Sequence, residues 1–165
     1  MASESNALAA WMGFIQAHSV VMERLDAELE AEAGLALGWY EVLMFLDWAP
    51  DGRLPMRQLA HSVLLSKSGV TRLVDRMEAA GLVERAACAS DRRVTYAAIT
   101  DAGRKAVRTA SPVHQRGISE HFAAHLSPAE LKTLRALMAK VLAGHGIEER
   151  ACGTVKPERI PARAR

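Results

Sequence analysis

Residues 66–100 read SKSGVTRLVDRMEAAGLVERAACASDRRVTYAAIT and change periodicity midway, from a helical pattern to an extended one. Val70, Leu73, Val74 and Met77 recur at i, i+3, i+4 and i+7, which predicts a helix from Ser66 to about Ala80 with one buried face. At ~100° per residue, Ser68, Thr71, Arg72, Asp75 and Arg76 then share the outer face. Ser66 suits the N-cap, where its hydroxyl can accept from an N–H of the first turn, and Gly81 suits the terminator. Two runs of strand character follow, 82–87 and 94–99, around the polar tip CASDRR. They predict a short antiparallel hairpin.

Just upstream, residues 55–62 read as a short helix with Leu59 and Ala60 inward, and 63–65 as a tight connection. That pair has the dimensions of a helix-turn-helix. Residues 39–48 form a further helix offering Val42, Leu43, Phe45 and Leu46 to a core, ended by the turn-forming Pro50, Asp51 and Gly52. A long helix over 7–33 carries Leu8, Trp11, Met12, Ile15, Val21, Met22, Leu25 and Leu29 on its apolar side until Gly34 stops it.

Downstream, Thr100 is the expected N-cap of a helix through Val107 and beyond, which Pro112 and Gly117 are expected to bend or interrupt. Ser127, Pro128 and Glu130 combine an N-cap, proline at the first helical position and an acid at the third. The helix they open uses Leu131, Leu134, Leu137, Met138, Val141 and Leu142 as its stripe. The tail EERACGTVKPERIPARAR is basic and proline-containing, the composition of a flexible arm. The fold class is therefore mainly α with one β-hairpin. Residues 1–33 read as an N-terminal dimerisation helix, 34–99 as a winged helix-turn-helix domain, 100–146 as C-terminal dimerisation helices and 147–165 as the tail.

A chain of 165 residues, 50% apolar, can hold one compact domain or a small domain with a dimerisation extension. Its formal charge of +2 conceals an asymmetry. Residues 1–51 hold one basic and nine acidic side chains, and the remainder 20 basic and 10 acidic. An acidic scaffold with a basic working surface attracts a polyanion. Cys88 and Cys152 lack any C-x-x-C spacing, which points to a reducing cytoplasm. The N-terminus has no basic residue ahead of its apolar positions, and no run of ~18 uncharged apolar residues exists, so neither a signal peptide nor a membrane span is expected.

The second helix of a helix-turn-helix enters the major groove, where short polar side chains and arginine reach base edges and phosphates. Ser66, Lys67, Ser68, Thr71, Arg72 and Arg76 are the candidates there, with Arg57 on the preceding helix. From Arg53 to Arg76 five basic residues face one acidic residue. A wing after such a motif can lay its tip along the minor groove, where arginine is favoured. The tip offers Ser90, Asp91, Arg92 and Arg93, and Asp91 can orient the Arg93 guanidinium.

With these residues in view, the chain resembles the MarR family of winged helix-turn-helix regulators. The resemblance covers about residues 7–144 and is carried by LSKSGVTRLVDRMEAAGLVERAACASDRRVTYAAITDAG. In it the recognition helix, the Gly-Leu-Val entry to the first strand, the Asp-x-Arg of the wing and the Thr-Asp-Ala-Gly restart appear in order. The resemblance implies a homodimer built from both chain ends, binding duplex DNA at a pseudo-palindromic operator, with repression the expected outcome. Family members often hold small aromatic or anionic effectors in a cleft between the dimerisation helices and the winged domain. Here the matching candidates are Trp11, Met12, Ile15, His18, Ser19, Met22, Trp39, Tyr40 and Leu43, although core packing is the more frequent role for any one of them.

Signatures of enzymes are missing: there is no G-x-G-x-x-G, P-loop, H-E-x-x-H or G-x-S-x-G, and no cofactor is expected. A winged-helix module that binds proteins remains an alternative, although it would not need the basic outer face. So does a metal- or redox-sensing regulator. His121 and His125 stand four apart with His114 nearby, but no carboxylate or thiol partner is evident, so a solvated face is expected and no metal site. Cys88 lies by the wing, whereas the peroxide-sensing branch of the family carries its reactive cysteine near the start of the first helix, so an inert thiol is expected.

Overall fold

The computed structural model describes residues 2–63, 67–87 and 94–147. Among them the helices are α1 (Ala2–Ala33), α2 (Leu37–Trp48), α3 (Met56–Ser62), α4 (Lys67–Ala79), α5 (Asp101–His121) and α6 (Pro128–Gly144). The strands are β1 (Arg53–Pro55), β2 (Val83–Ala87) and β3 (Thr95–Ile99). The fold is mainly helical with one small antiparallel sheet. The proposed Ser66 cap, the wing tip with Cys88 and the basic tail lie outside the described residues.

The chain forms two compact units. Among the described residues, one comprises positions 2–37 with Arg108–Val141, and the other positions 38–107 with 142–147.

In the first unit α1 changes character along its length. Residues 5–20 are exposed, whereas Leu25 and Leu29 are buried, as are Ala110 and Val113 of α5. Gly34 ends α1 at φ 62°, the left-handed conformation that glycine adopts without a Cβ clash, and its N–H donates to the Glu30 carbonyl. Asp26 then accepts the Leu37 N–H at 2.7 Å, satisfying an otherwise unpaired donor at the start of α2. The expected interruption of α5 does not occur. Pro112 lies inside the helix on its exposed side, flanked by the buried Ala110 and Val113, whose packing outweighs the missing hydrogen bond.

Ser127 and Glu130 form the expected reciprocal cap of α6. The Glu130 N–H donates to Ser127 Oγ at 3.3 Å, while the Ser127 N–H donates to Glu130 Oε2 at 2.8 Å. The Ser127 hydrogen bonds hold the Glu130 carboxyl below its ordinary pKa. None of the α6 stripe is buried, and Leu137 and Val141 are exposed.

The second unit buries Tyr40, Val42, Leu43 and Leu46 of α2, Leu59 and Ala60 of α3, Val70, Leu73, Val74 and Met77 of α4, and Val83, Ala97 and Ile99 of the strands. The hairpin is present but is part of a three-stranded sheet in the order β1-β3-β2. In it Leu54 stands opposite Ala97, and Arg85 opposite the same Ala97 from the other side. The third strand, β1, went unpredicted because three residues ending in proline are too short for a period-2 pattern. Thr100 caps α5 as expected: its Oγ1 accepts the Gly103 N–H at 3.1 Å and donates to the Gly81 carbonyl at 2.7 Å.

Candidate nucleic-acid interface

Helices α3 and α4 supply the pair of elements that the sequence pattern predicts. Burial of Val70, Leu73, Val74 and Met77 fixes the rotation of α4, and Ser68, Thr71, Arg72, Asp75 and Arg76 are consequently exposed together. Arg57 is exposed on α3. Lys67 opens α4. Among the described residues no ion pair engages Arg57, Arg72 or Arg76. Ser66, Ser90, Asp91, Arg92 and Arg93 fall outside the described residues.

Two of the charged residues counted with this surface are committed elsewhere. Arg53 pairs with Asp51 at 3.8 Å and stacks over the Tyr96 ring, with its guanidinium carbon 5.4 Å from the centroid. Asp75 accepts from Arg85 of β2, which also donates to Glu78 Oε2 and to the Thr71 carbonyl, both at 3.3 Å. The Arg85 backbone N–H adds a bond to Glu78 Oε1 at 3.0 Å. Arg85 thus fixes α4 to the first strand of the wing. Periodicity could not identify it, although Asp75 and Glu78 one turn apart, followed by an arginine on a half-buried strand, are the trace it leaves.

At the other end of the unit, Arg104 of α5 donates to Asp47 of α2 at 2.8 Å. Gly103 stands where a Cβ would strike the Leu82 carbonyl. These contacts anchor the start of α5 against α2 and the entry to β2.

The candidate effector residues divide between the two units. In the first, Trp11, Ile15, His18 and Ser19 are exposed on α1 and Met22 is half-buried. Phe14, absent from the candidate set, continues this face: its ring centroid is 6.0 Å from that of Trp11 and 6.4 Å from that of His18. Positions 11, 14 and 18 follow i, i+3, i+7, so the signal was there. In the second unit Trp39 is half-buried, and Tyr40 and Leu43 are buried.

A profile of the MarR family matches residues 33–94, the span from the end of α1 to the start of β3. Over a longer stretch, the chain is 32% identical to AbsC, a MarR family transcriptional regulator from Streptomyces coelicolor. Its crystal structure superimposes with a TM-score of 0.77 over 84% of this chain and 92% of AbsC. The chain belongs to the MarR family of transcriptional regulators. As a MarR-family member it is a regulator and not an enzyme.

A second MarR family regulator from Streptomyces coelicolor, Sco3205, was crystallised in complex with DNA. It is 28% identical, with a TM-score of 0.79 over 92% of this chain and 95% of that one. The HTH-type transcriptional regulator MhqR of Bacillus subtilis is 32% identical over 90 residues, 54% of this chain and 61% of MhqR. The chain thus spans about three-fifths of the length of that curated relative. No helix among the described residues is long and apolar enough to cross a membrane.

Proposed function

We infer that this MarR-family chain binds double-stranded DNA as a homodimer, with α4 in the major groove and the wing tip at the adjacent minor groove. The observation that carries the reading is the exposed face of α4, where Ser68, Thr71, Arg72 and Arg76 stand together with Arg57 of α3. Such side chains hydrogen-bond base edges and phosphates, and helix rotation is already fixed by burial of the opposite face. The crystallisation of the similar regulator Sco3205 in complex with DNA supports a DNA partner. One recognition helix reads few base pairs, so two helices about one DNA turn apart, ~34 Å, provide useful specificity.

Support for a second copy comes from the first unit. There Leu8, Trp11, Met12, Phe14, Ile15 and Val20 of α1 are exposed, as are Ile118 of α5 and Leu137 and Val141 of α6. So many large apolar side chains in water on the terminal helices mark an association surface. The operator is then pseudo-palindromic and repression is the expected outcome, in a cytoplasmic setting. Recognition of a small aromatic or anionic effector is assigned to Trp11, Ile15, His18, Ser19 and Met22 of α1, whose side chains are exposed or half-buried.

The test is selection of bound fragments from native genomic DNA, followed by titration of the selected duplex over a range of salt. The parent binds with an affinity that falls steeply with salt. Arg72→Ala loses ~1–3 kcal/mol of discrimination between selected and random duplex. Arg93→Ala weakens both duplexes alike. If neither substitution alters binding to either duplex, the assignment of this face to DNA is wrong.

A further inference from the structure

His121 ends α5, and its Nε2 lies 2.5 Å from Oε1 of Glu28 on α1, in the same unit. Glu120 adds a second carboxylate: one nitrogen or oxygen from each of Glu28, Glu120 and His121 lies within 4.8 Å of the others. The histidine pair read from the sequence is replaced by a different set. His125 falls in a separate 3-10 turn, Ala123–His125, because α5 ends at His121. The carboxylate partner comes from a helix 93 residues away.

Two further features point to a ligand. Glu28 Oε2 is buried and has no hydrogen-bond partner among the described residues, an unfavourable state for a carboxylate oxygen that a cation would relieve. Opposite it, α5 carries Gly117, where a Cβ would stand 2.9 Å from Glu28 Oε2 and 2.5 Å from Leu25 Cδ2. Glycine is disfavoured inside a helix relative to alanine, and here its missing side chain makes the space that the Glu28 carboxylate fills.

We propose that Glu28, Glu120 and His121 form a binding site for a divalent transition-metal ion of the zinc class, with water completing the coordination. Calcium and magnesium prefer oxygen ligands alone, whereas neutral imidazole with carboxylates suits zinc and its neighbours. Ligand atoms around a tetrahedral ion at ~2.0–2.1 Å stand ~3.3 Å apart, so the His121–Glu28 contact opens by under ~1 Å to admit it. Glu120 is exposed and free to turn inward. Its other neighbour, Arg116, lies 3.9 Å away and is also paired with Glu32, which draws the guanidinium aside. The ion ties α1 to α5 within one unit and does not depend on the DNA-binding reading.

The experiment uses the full chain, stripped of metal with a chelator. It is titrated with Co2+ as an optical probe and with Zn2+ against a chromophoric competitor. The expected result is one Co2+ per chain with visible absorption bands that Zn2+ abolishes. His121→Gln and Glu28→Gln weaken binding by at least about 10- to 100-fold, and Gly117→Ala weakens it by displacing Glu28. Glu120→Gln alters an exposed side chain, so its loss of affinity is read without concern for folding, with helical circular dichroism as the check. His125→Gln leaves affinity unchanged. A parent that binds no Co2+ at tens of micromolar, or a Glu120→Gln and His121→Gln pair that both bind as tightly as the parent, overturns the site.

Discussion

Arg85 of β2 holds Asp75 of α4 through its guanidinium, and the same group reaches Glu78 and the Thr71 carbonyl. Helix α4 is therefore braced by a side chain on β2. Removing that brace with Arg85→Ala leaves the apolar face of α4 intact, because Val70, Val74 and Met77 remain buried. Exposed ion pairs contribute little singly, and this one shares several bonds, so a stability loss on the order of 1 kcal/mol is expected. Operator affinity falls by a comparable amount, about fivefold, because α4 is less firmly oriented. A double-mutant cycle with Asp75→Ala should give a coupling above ~0.5 kcal/mol, and strictly additive losses would refute the brace.

Gly103→Ala tests how α5 is seated. The new methyl would meet the Leu82 carbonyl, Ile99 Cγ1 at 2.8 Å and Leu43 Cδ2 at 3.1 Å. Backbone cannot yield as a side-chain tip can, and overpacking of this kind costs about 1–3 kcal/mol. Gly38→Ala is the control: a Cβ there meets nothing within 4 Å, and α2 gains up to about 1 kcal/mol from the better helix former. Urea unfolding of both variants should move in opposite directions.

These two sites also mark what the sequence could and could not reveal. The rotation of α4 was legible because Val70, Leu73, Val74 and Met77 repeat at helical spacing, and the caps at Thr100 and Ser127 because capping is a local interaction. Strand β1 was too short for any period. Pro112 misled, since local propensity argues for a break and the burial of Ala110 and Val113 overrides it. Arg85 with Asp75, and His121 with Glu28, join elements distant along the chain, so no spacing rule brings them together. Phe14 is the exception, being in register with Trp11 and His18 on a single helix face.

A pH dependence follows from His114 on α5. Burial disfavours its charged form and lowers its pKa from the ordinary 6.5. The unfolded chain therefore binds this proton at higher pH than the folded one. The contribution is fully present above about pH 6.5 and is lost as pH falls from there through the folded value. Stability measured by urea unfolding at a series of pH values should decline over that window, and His114→Gln should flatten the decline. An unchanged slope in the variant would place the titrating group elsewhere.

The last expectation concerns the second copy. Trp11, Leu137 and Val141 are 58%, 52% and 57% exposed, and they belong to helices at the two ends of the chain. Burying one aliphatic side chain of this size contributes about 1.5–3 kcal/mol. Under two-fold symmetry each residue occurs twice, so Val141→Asp removes that contribution from both protomers and adds two carboxylates to an apolar contact. The combined loss, on the order of 3–6 kcal/mol, weakens dimerisation by at least about 100-fold. Since Val141 is exposed in the single chain, the substitution should leave the fold and its circular dichroism unchanged. Sedimentation at micromolar concentration should then report a dimer for the parent and for Arg72→Ala, and a monomer for Val141→Asp. Operator binding by the monomer should fall further than binding by Arg72→Ala, because each monomer holds only one half-site. A parent that sediments as a monomer, or a Val141→Asp dimer as tight as the parent, would remove this face from the interface.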